Sequence, residues 1–159
     1  ANHFALIKEE TKSTLPYIPF AHSTLQKNES VVTVGYPAGN LPSFSPFTKL
    51  FQVRDTVRVT GTYSFGETTT DIISTSESAT GYEGSSGGAI ANENGELGAL
   101  IVSVNGQSIN ALTIPYIQSL FKKETNLDLE TYIENPVKYK NDFKDIYSAS
   151  RDALKEALN

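Results

Sequence analysis

The feature that most constrains this chain is a train of short β-branched or apolar segments, cut at near-regular intervals by Gly, Pro, Asn and Ser. Phe4 to Lys8, Val31 to Val34, Phe51 to Tyr63, Ile72-Ile73, Gly88 to Ala91, Leu97 to Val104 and Ile109 to Thr113 all read as strands. Between 51 and 63 the run FQVRDTVRVTGTY alternates apolar with polar residues, as a strand with one buried face does. Asn94-Gly95 lies between two strands and marks a hairpin, because both residues tolerate the positive φ of a tight turn. Many short strands divided in this way predict a barrel or a sandwich.

The character changes at Pro115, which can open a helix running through Phe121. Beyond Asn135-Pro136, Phe143, Ile146, Tyr147, Leu154 and Leu158 recur at helical spacing, with the small Ser150 on the same face. That pattern predicts an amphipathic helix that packs on the barrel or on a neighbour; its polar face mixes both charge signs, which disfavours a membrane surface.

Composition narrows the function. At 159 residues the chain is long enough to bury one sizeable core. A net charge of -5 supplies no basic footprint for nucleic acid, and no apolar run approaches a membrane span. With no cysteine there is no disulfide and no thiolate metal site, which leaves a secreted, periplasmic, viral or cytosolic setting open. No metal-ligand pattern or cofactor motif is complete: Glu9-Glu10, Glu93 with Glu96, and Asp142 with Asp145 read as solvated surface charge. Ala1 runs almost directly into Phe4-Ala5-Leu6-Ile7 without a leader, so the chain reads as mature, trimmed or cut from something longer.

One loop carries chemistry. Gly84-Ser85-Ser86-Gly87-Gly88 is bracketed by glycines that let the backbone take a tight, partly left-handed path. Such a path can present a serine side chain outward while paired amides point inward, a geometry suited to nucleophilic attack with oxyanion stabilisation. Taken alone, the string reads first as a glycine-serine hairpin turn.

The flanks give it context. Residues 79–106 read ATGYEGSSGGAIANENGELGALIVSVNG, which resembles the chymotrypsin-like serine proteases, especially their disulfide-free bacterial and viral branches. There a Gly-x-Ser-Gly-Gly loop precedes a strand, a hairpin and a strand of the form GIVSxxG. VVTVGYPAG (31–39) looks like the strand that opens the second barrel of such enzymes, and NHFALIKEE (2–10) like the last strand of the first. Ile114-Pro115-Tyr116-Ile117 is similar to their closing strand and helix, so the resemblance covers about residues 2 to 122 in the family's order.

The resemblance implies a mainly β chain: a six-stranded antiparallel barrel with C-terminal helices. Residues 1–30 would end the first barrel and link it to the second, 31–114 would form that second barrel, and 115–159 a helical extension. It makes Ser86 the nucleophile and the amides of Gly84 and Ser86 the oxyanion hole. Ser85 stands where animal digestive members carry an aspartate that pairs with a freed N-terminus. Thr80 falls near the floor of the primary specificity pocket, where a neutral hydroxyl does not favour Lys or Arg. The glutamate-specific branch has a histidine on the pocket strand, where this chain has Ile101 and Val102; a small or apolar residue before the scissile bond is the default. Ser103 matches the serine on that strand, and Val104 and Asn105 would pair with substrate backbone.

The resemblance also exposes a gap. A serine hydroxyl is a poor nucleophile until a base takes its proton. The sequence holds only His3 and His22, and the family's catalytic histidine would precede Ala1. His3 stands where the orienting aspartate would fall. His22 echoes the family's TAAH signature in Phe20-Ala21-His22-Ser23, but 64 residues before Ser86 are too few for the intervening strands, so it reads as a linker residue. The implied protein is a serine endopeptidase acting on a peptide or protein through an acyl-enzyme, with its His and Asp on a first barrel from the same precursor or a second chain. The chain alone would then be inactive and prone to self-association through Phe4, Leu6 and Val34. The rival expectation is a protease-like module that binds a peptide or partner and has lost its triad; a β-domain interaction protein that uses its terminal helix is a third.

Overall fold

The computed structural model describes residues 16–37, 52–66 and 70–135, together with Ser148, which is helical. The expected strand at Phe4 to Lys8, the start of the 51–63 segment at Phe51, and the tail residues Phe143, Ile146, Tyr147, Ser150, Leu154 and Leu158 lie outside these.

Six antiparallel strands close into a barrel: β1 (Ser30–Gly35), β2 (Val53–Tyr63), β3 (Ile72–Glu77), β4 (Ala89–Ala91), β5 (Leu97–Asn105) and β6 (Ser108–Thr113). Their order around the wall is β1-β2-β3-β6-β5-β4. This is the expected architecture, and the strands fall where the alternating segments predicted them. β3 is longer than the Ile72-Ile73 pair suggested, because Ser74, Thr75, Ser76 and Glu77 continue it. Polar residues extend the strand where one barrel face needs no apolar side chain: Ser74 hydrogen-bonds Asn110 of β6 at 2.6 Å.

The period-two pattern sorts the side chains. Val57 and Val59 of β2 are buried while Arg58 between them is exposed. Val31, Ile73, Ile90, Ala99, Ile101, Ile109 and Ala111 meet them in one core, with Leu25 joining from the segment before β1. A parallel bridge from Phe20 to Leu97, with Leu97 N–H donating to Pro19 and Ala21 N–H to Leu97, ties that segment to the start of β5. Asn94-Gly95 turns between β4 and β5 as expected: Gly95 has φ +78°, and the Asn92 side chain accepts from the amides of Asn94 and Glu96.

The chain divides into two compact units, Ala1–Tyr116 and Ile117–Asn159. Helix α1 (Ile114–Thr125) begins one residue before Pro115, and the Thr113 hydroxyl accepts from the Tyr116 amide in its first turn. In the second unit a short helix, α2 (Leu129–Glu134), starts on Asp128, whose carboxylate accepts from Thr131 N–H at 2.8 Å. Phe121 and Tyr132 pack with ring centroids 5.3 Å apart. Among the described residues no helix is long and apolar enough to cross a membrane.

Candidate active site

The connection from β3 to β4, residues 78–88, carries the glycine-serine loop. It is built from local turns: Gly81 N–H donates to Ser78, Tyr82 to Thr80, Ser85 to Tyr82 and Gly88 to Ser85. Gly84 has φ +95° and Gly87 φ +84°, left-handed conformations that a side chain enters only with strain. Two bonds then sew the loop to β5, from Gly87 N–H to Ile101 and from Ile101 N–H to Gly88. The amides of Gly84 and Ser86 take no part in these backbone bonds.

The two adjacent serines face opposite ways. Ser86 is exposed, and among the described residues its hydroxyl has only a long 3.5 Å contact to the Val102 carbonyl. Ser85 is 1% exposed, and among the described residues its Oγ has no hydrogen-bond partner. It presses against β1 where Gly35 leaves room: a β-carbon there would lie 2.9 Å from that oxygen.

Ser86 sits beside a free strand edge. β4 accompanies β5 only from Leu97 to Leu100. Among the described residues β5 has β6 alone as a strand neighbour beyond Ile101. Ser103 and Asn105 are exposed there and Val104 is partly buried against the core. The Ser103 hydroxyl accepts from the Asn110 side chain at 3.3 Å.

Thr80, expected near the floor of the specificity pocket, sits on the connection from β3 to β4. It is fully buried, and its hydroxyl donates to Thr33 at 2.8 Å and lies 2.9 Å from that of Ser78. The corner is held further by Asp55 of β2, whose Oδ2 accepts from Ala79 N–H and Oδ1 from Thr56 N–H, both at 2.8 Å. The Ala79 amide is the foremost of the bonds that hold the Asp55 carboxyl below its ordinary value near 3.8. On the opposite side Gln107 of the β5–β6 turn accepts from Ser78 N–H through its carbonyl, and its side chain donates to the Tyr82 hydroxyl. A side chain at Gly81 would overlap that Gln107 carbonyl, so the loop approaches the turn as closely as backbone allows. A cleft of about 550 Å³, bordered by Glu77, Ala79, Tyr82 and Gln107, opens beside this corner.

Sequence reading missed these anchors. Asp55 carried a usable signal: it occupies the inward phase of β2, in step with Val53, Val57 and Val59. A carboxylate at such a position calls for donors nearby. Gln107 and Tyr82 had no comparable mark.

His22 is exposed, and its neighbour Ala21 is bonded to Leu97 at the start of β5. Ser86 lies at Val102, five residues further along that strand and about 16 Å away by strand rise. An imidazole cannot bridge that span. His3 is outside the described residues. Among the described residues no three His, Asp or Glu side chains converge to hold a metal.

No protein-family model and no curated protein matches the chain. Solved structures do. The inactive form of the Rv3671c protease matches with a TM-score of 0.53 at 18% identity, over 69% of this chain and 54% of that one. A serine-to-alanine mutant of Rv3671c from M. tuberculosis H37Rv, also in an inactive form, matches with a TM-score of 0.52 at 18% identity, over 69% and 53%. The chain thus spans about half the length of the structures it matches. At that identity the likeness shows the fold, a six-stranded barrel of the kind found in chymotrypsin-like protease domains.

Proposed function

We propose that this chain is the nucleophile-bearing barrel of a serine endopeptidase, of the disulfide-free branch that its lack of cysteine suggests. The observation that carries the reading is the exposed Ser86 hydroxyl on a loop whose flanking glycines hold positive φ, beside an uncovered stretch of β5. A substrate strand laid along Ser103, Val104 and Asn105 would bring its scissile carbonyl to Ser86. Attack by Oγ passes the hydroxyl proton to a base, and the carbonyl oxygen becomes an oxyanion that accepts from the Gly84 and Ser86 amides. Collapse expels the amine with that proton and leaves an acyl-enzyme, which water hydrolyses.

The base and its orienting carboxylate would come from a first barrel, since the chain matches only about half of each solved neighbour and His22 stands too far from Ser86. In this reading residues 1–30 lead from that barrel, 31–114 form the present one and 115–159 extend it. At the expected pocket floor Thr80 offers a neutral hydroxyl and no carboxylate to attract Lys or Arg, which supports a small or apolar residue before the scissile bond.

One observation favours a non-catalytic peptide-binding module instead: His3 stands where the orienting aspartate is expected. A fluorophosphonate probe separates the two. The full-length protein, with whatever precedes Ala1, is expected to be labelled on Ser86, and Ser86→Ala to lose the label. A folded full-length sample that takes no label sinks the protease reading.

A further inference from the structure

We propose that Asp55 is a positioning residue for the Ser86 loop, acting through Ala79; the catalytic half of this statement rests on the reading of Ser86 as a nucleophile. Asp55 lies opposite Thr33 in the β1–β2 ladder, and its carboxylate reaches the corner where β3 ends and the loop begins. Ala79, which it holds, is seven residues before Ser86, and every backbone bond from Ser78 to Ser85 within the loop is a local turn. A shift of the corner is therefore passed along the loop towards Ser86, checked only by the Tyr82–Gln107 contact and the Gly87 and Gly88 bonds to β5, with no strand ladder between.

The chemistry of the corner gives the carboxylate a particular role. Thr33, Ser78 and Thr80 are each 4% exposed or less, and their hydroxyl oxygens lie 2.8 to 3.0 Å apart. Each hydroxyl has one proton to give. That of Thr80 goes to Thr33, and that of Thr33 to the Asp55 carbonyl at 3.4 Å. The Ser78 oxygen lies within reach of both other hydroxyls and accepts from Thr80 N–H at 3.1 Å. The donors from Thr80 through Thr33 end on the Asp55 carbonyl, while the Asp55 carboxylate holds Ala79, so one residue anchors both the buried hydroxyls and the start of the loop. The other anchor of the corner, Gln107, is neutral.

An amide cannot replace this carboxylate. Both oxygens face N–H donors, Thr56 on one side and Ala79 on the other. Asparagine offers one oxygen and one NH₂, so in either orientation it sets a donor against a donor. Asp55→Asn can hold only one of the two amides and carries no charge, so it weakens the hold on Ala79 while keeping size and shape.

The test uses the full-length protein and two readouts. In hydrogen–deuterium exchange, Asp55→Asn is expected to speed exchange across 79–88 while β5 and β6 keep wild-type protection. In fluorophosphonate labelling, the same variant is expected to lower the limiting rate of inactivation about 10- to 100-fold, the scale on which a small misplacement of reacting groups costs rate, with little change in probe affinity. Asp128→Asn, at the start of α2, is the control and should leave both unchanged in the barrel. Wild-type exchange across 79–88 in Asp55→Asn overturns the proposal, and so does loss of protection throughout the barrel, which would make Asp55 a general stabiliser. If the wild-type protein takes no label, the nucleophile reading fails, and the exchange readout still decides whether Asp55 positions the loop.

Discussion

Ser85 and Ser86 are chemically identical neighbours, and the backbone alone separates their roles. Gly84 and Gly87 turn the chain so that one hydroxyl meets solvent and the other is pressed onto β1. The buried one has lost water and found no partner, a condition that costs about 1–3 kcal/mol for a hydroxyl. Ser85→Ala removes the orphaned oxygen without emptying the site, and is expected to raise stability by up to about 1 kcal/mol in urea unfolding. Gly35→Ala tests the same contact from the other side. Its β-carbon would lie 2.9 Å from the Ser85 oxygen and 3.1 Å from the Ser85 β-carbon, an overpacking expected to cost about 1–3 kcal/mol. Combining the two substitutions should recover part of that loss, since only the oxygen contact is relieved. Strict additivity would show that Gly35 and Ser85 do not press on one another.

At the scale of elements, strands were legible and their tethers were not. β2 was readable because its alternation matches the pleat, and the β4–β5 turn because Asn94-Gly95 suits positive φ. Helix α1 announced itself through Pro115, whereas six-residue α2 is too short to show a period and depends on the Asp128 cap. The loop's glycines were visible in sequence, but what fixes it in space came from distant positions. Asp55 is 24 residues from Ala79, and Gln107 is 25 from Tyr82; no local pattern records such pairings. Thr80 bonds to Thr33, 47 residues before it, which no local pattern records either. The tethers also fix an acid response. Hydrogen bonds from Ala79 to Asp55, and from Thr131 to Asp128, hold both carboxyls below the ordinary value near 3.8. A carboxyl lowered on folding contributes stability that is present above its unfolded value and fades as pH falls through its folded one. The stability difference between wild type and Asp55→Asn should therefore be constant at neutral pH and shrink below about pH 4. A difference that stays flat down to pH 2 would mean the charge of Asp55 is not what the donors hold.

For the whole molecule, the barrel closes its own strand ladder yet leaves large apolar side chains outside. Tyr17 is 85% exposed and Phe65 68%, and Ile18, Tyr36 and Tyr63 are about half exposed. Scattered singly such residues are ordinary, but Tyr17 and Ile18 are adjacent on the segment entering the barrel, and Tyr36 directly follows β1. The solved neighbours carry nearly half of their length beyond the matched part, and a body of that kind would lie over such positions. The 159-residue chain by itself should then cover them with copies of itself. Sedimentation velocity is expected to show association that grows with protein concentration. Paired Tyr17→Ser and Ile18→Ser substitutions should reduce it without lowering the unfolding midpoint, because these side chains are not in the core. Added salt should not disperse the associated species, since a net charge of -5 opposes association and screening weakens that repulsion. A monomer at every concentration would show that the exposed residues are solitary surface positions, and would remove the reason to seek a covering barrel at this face.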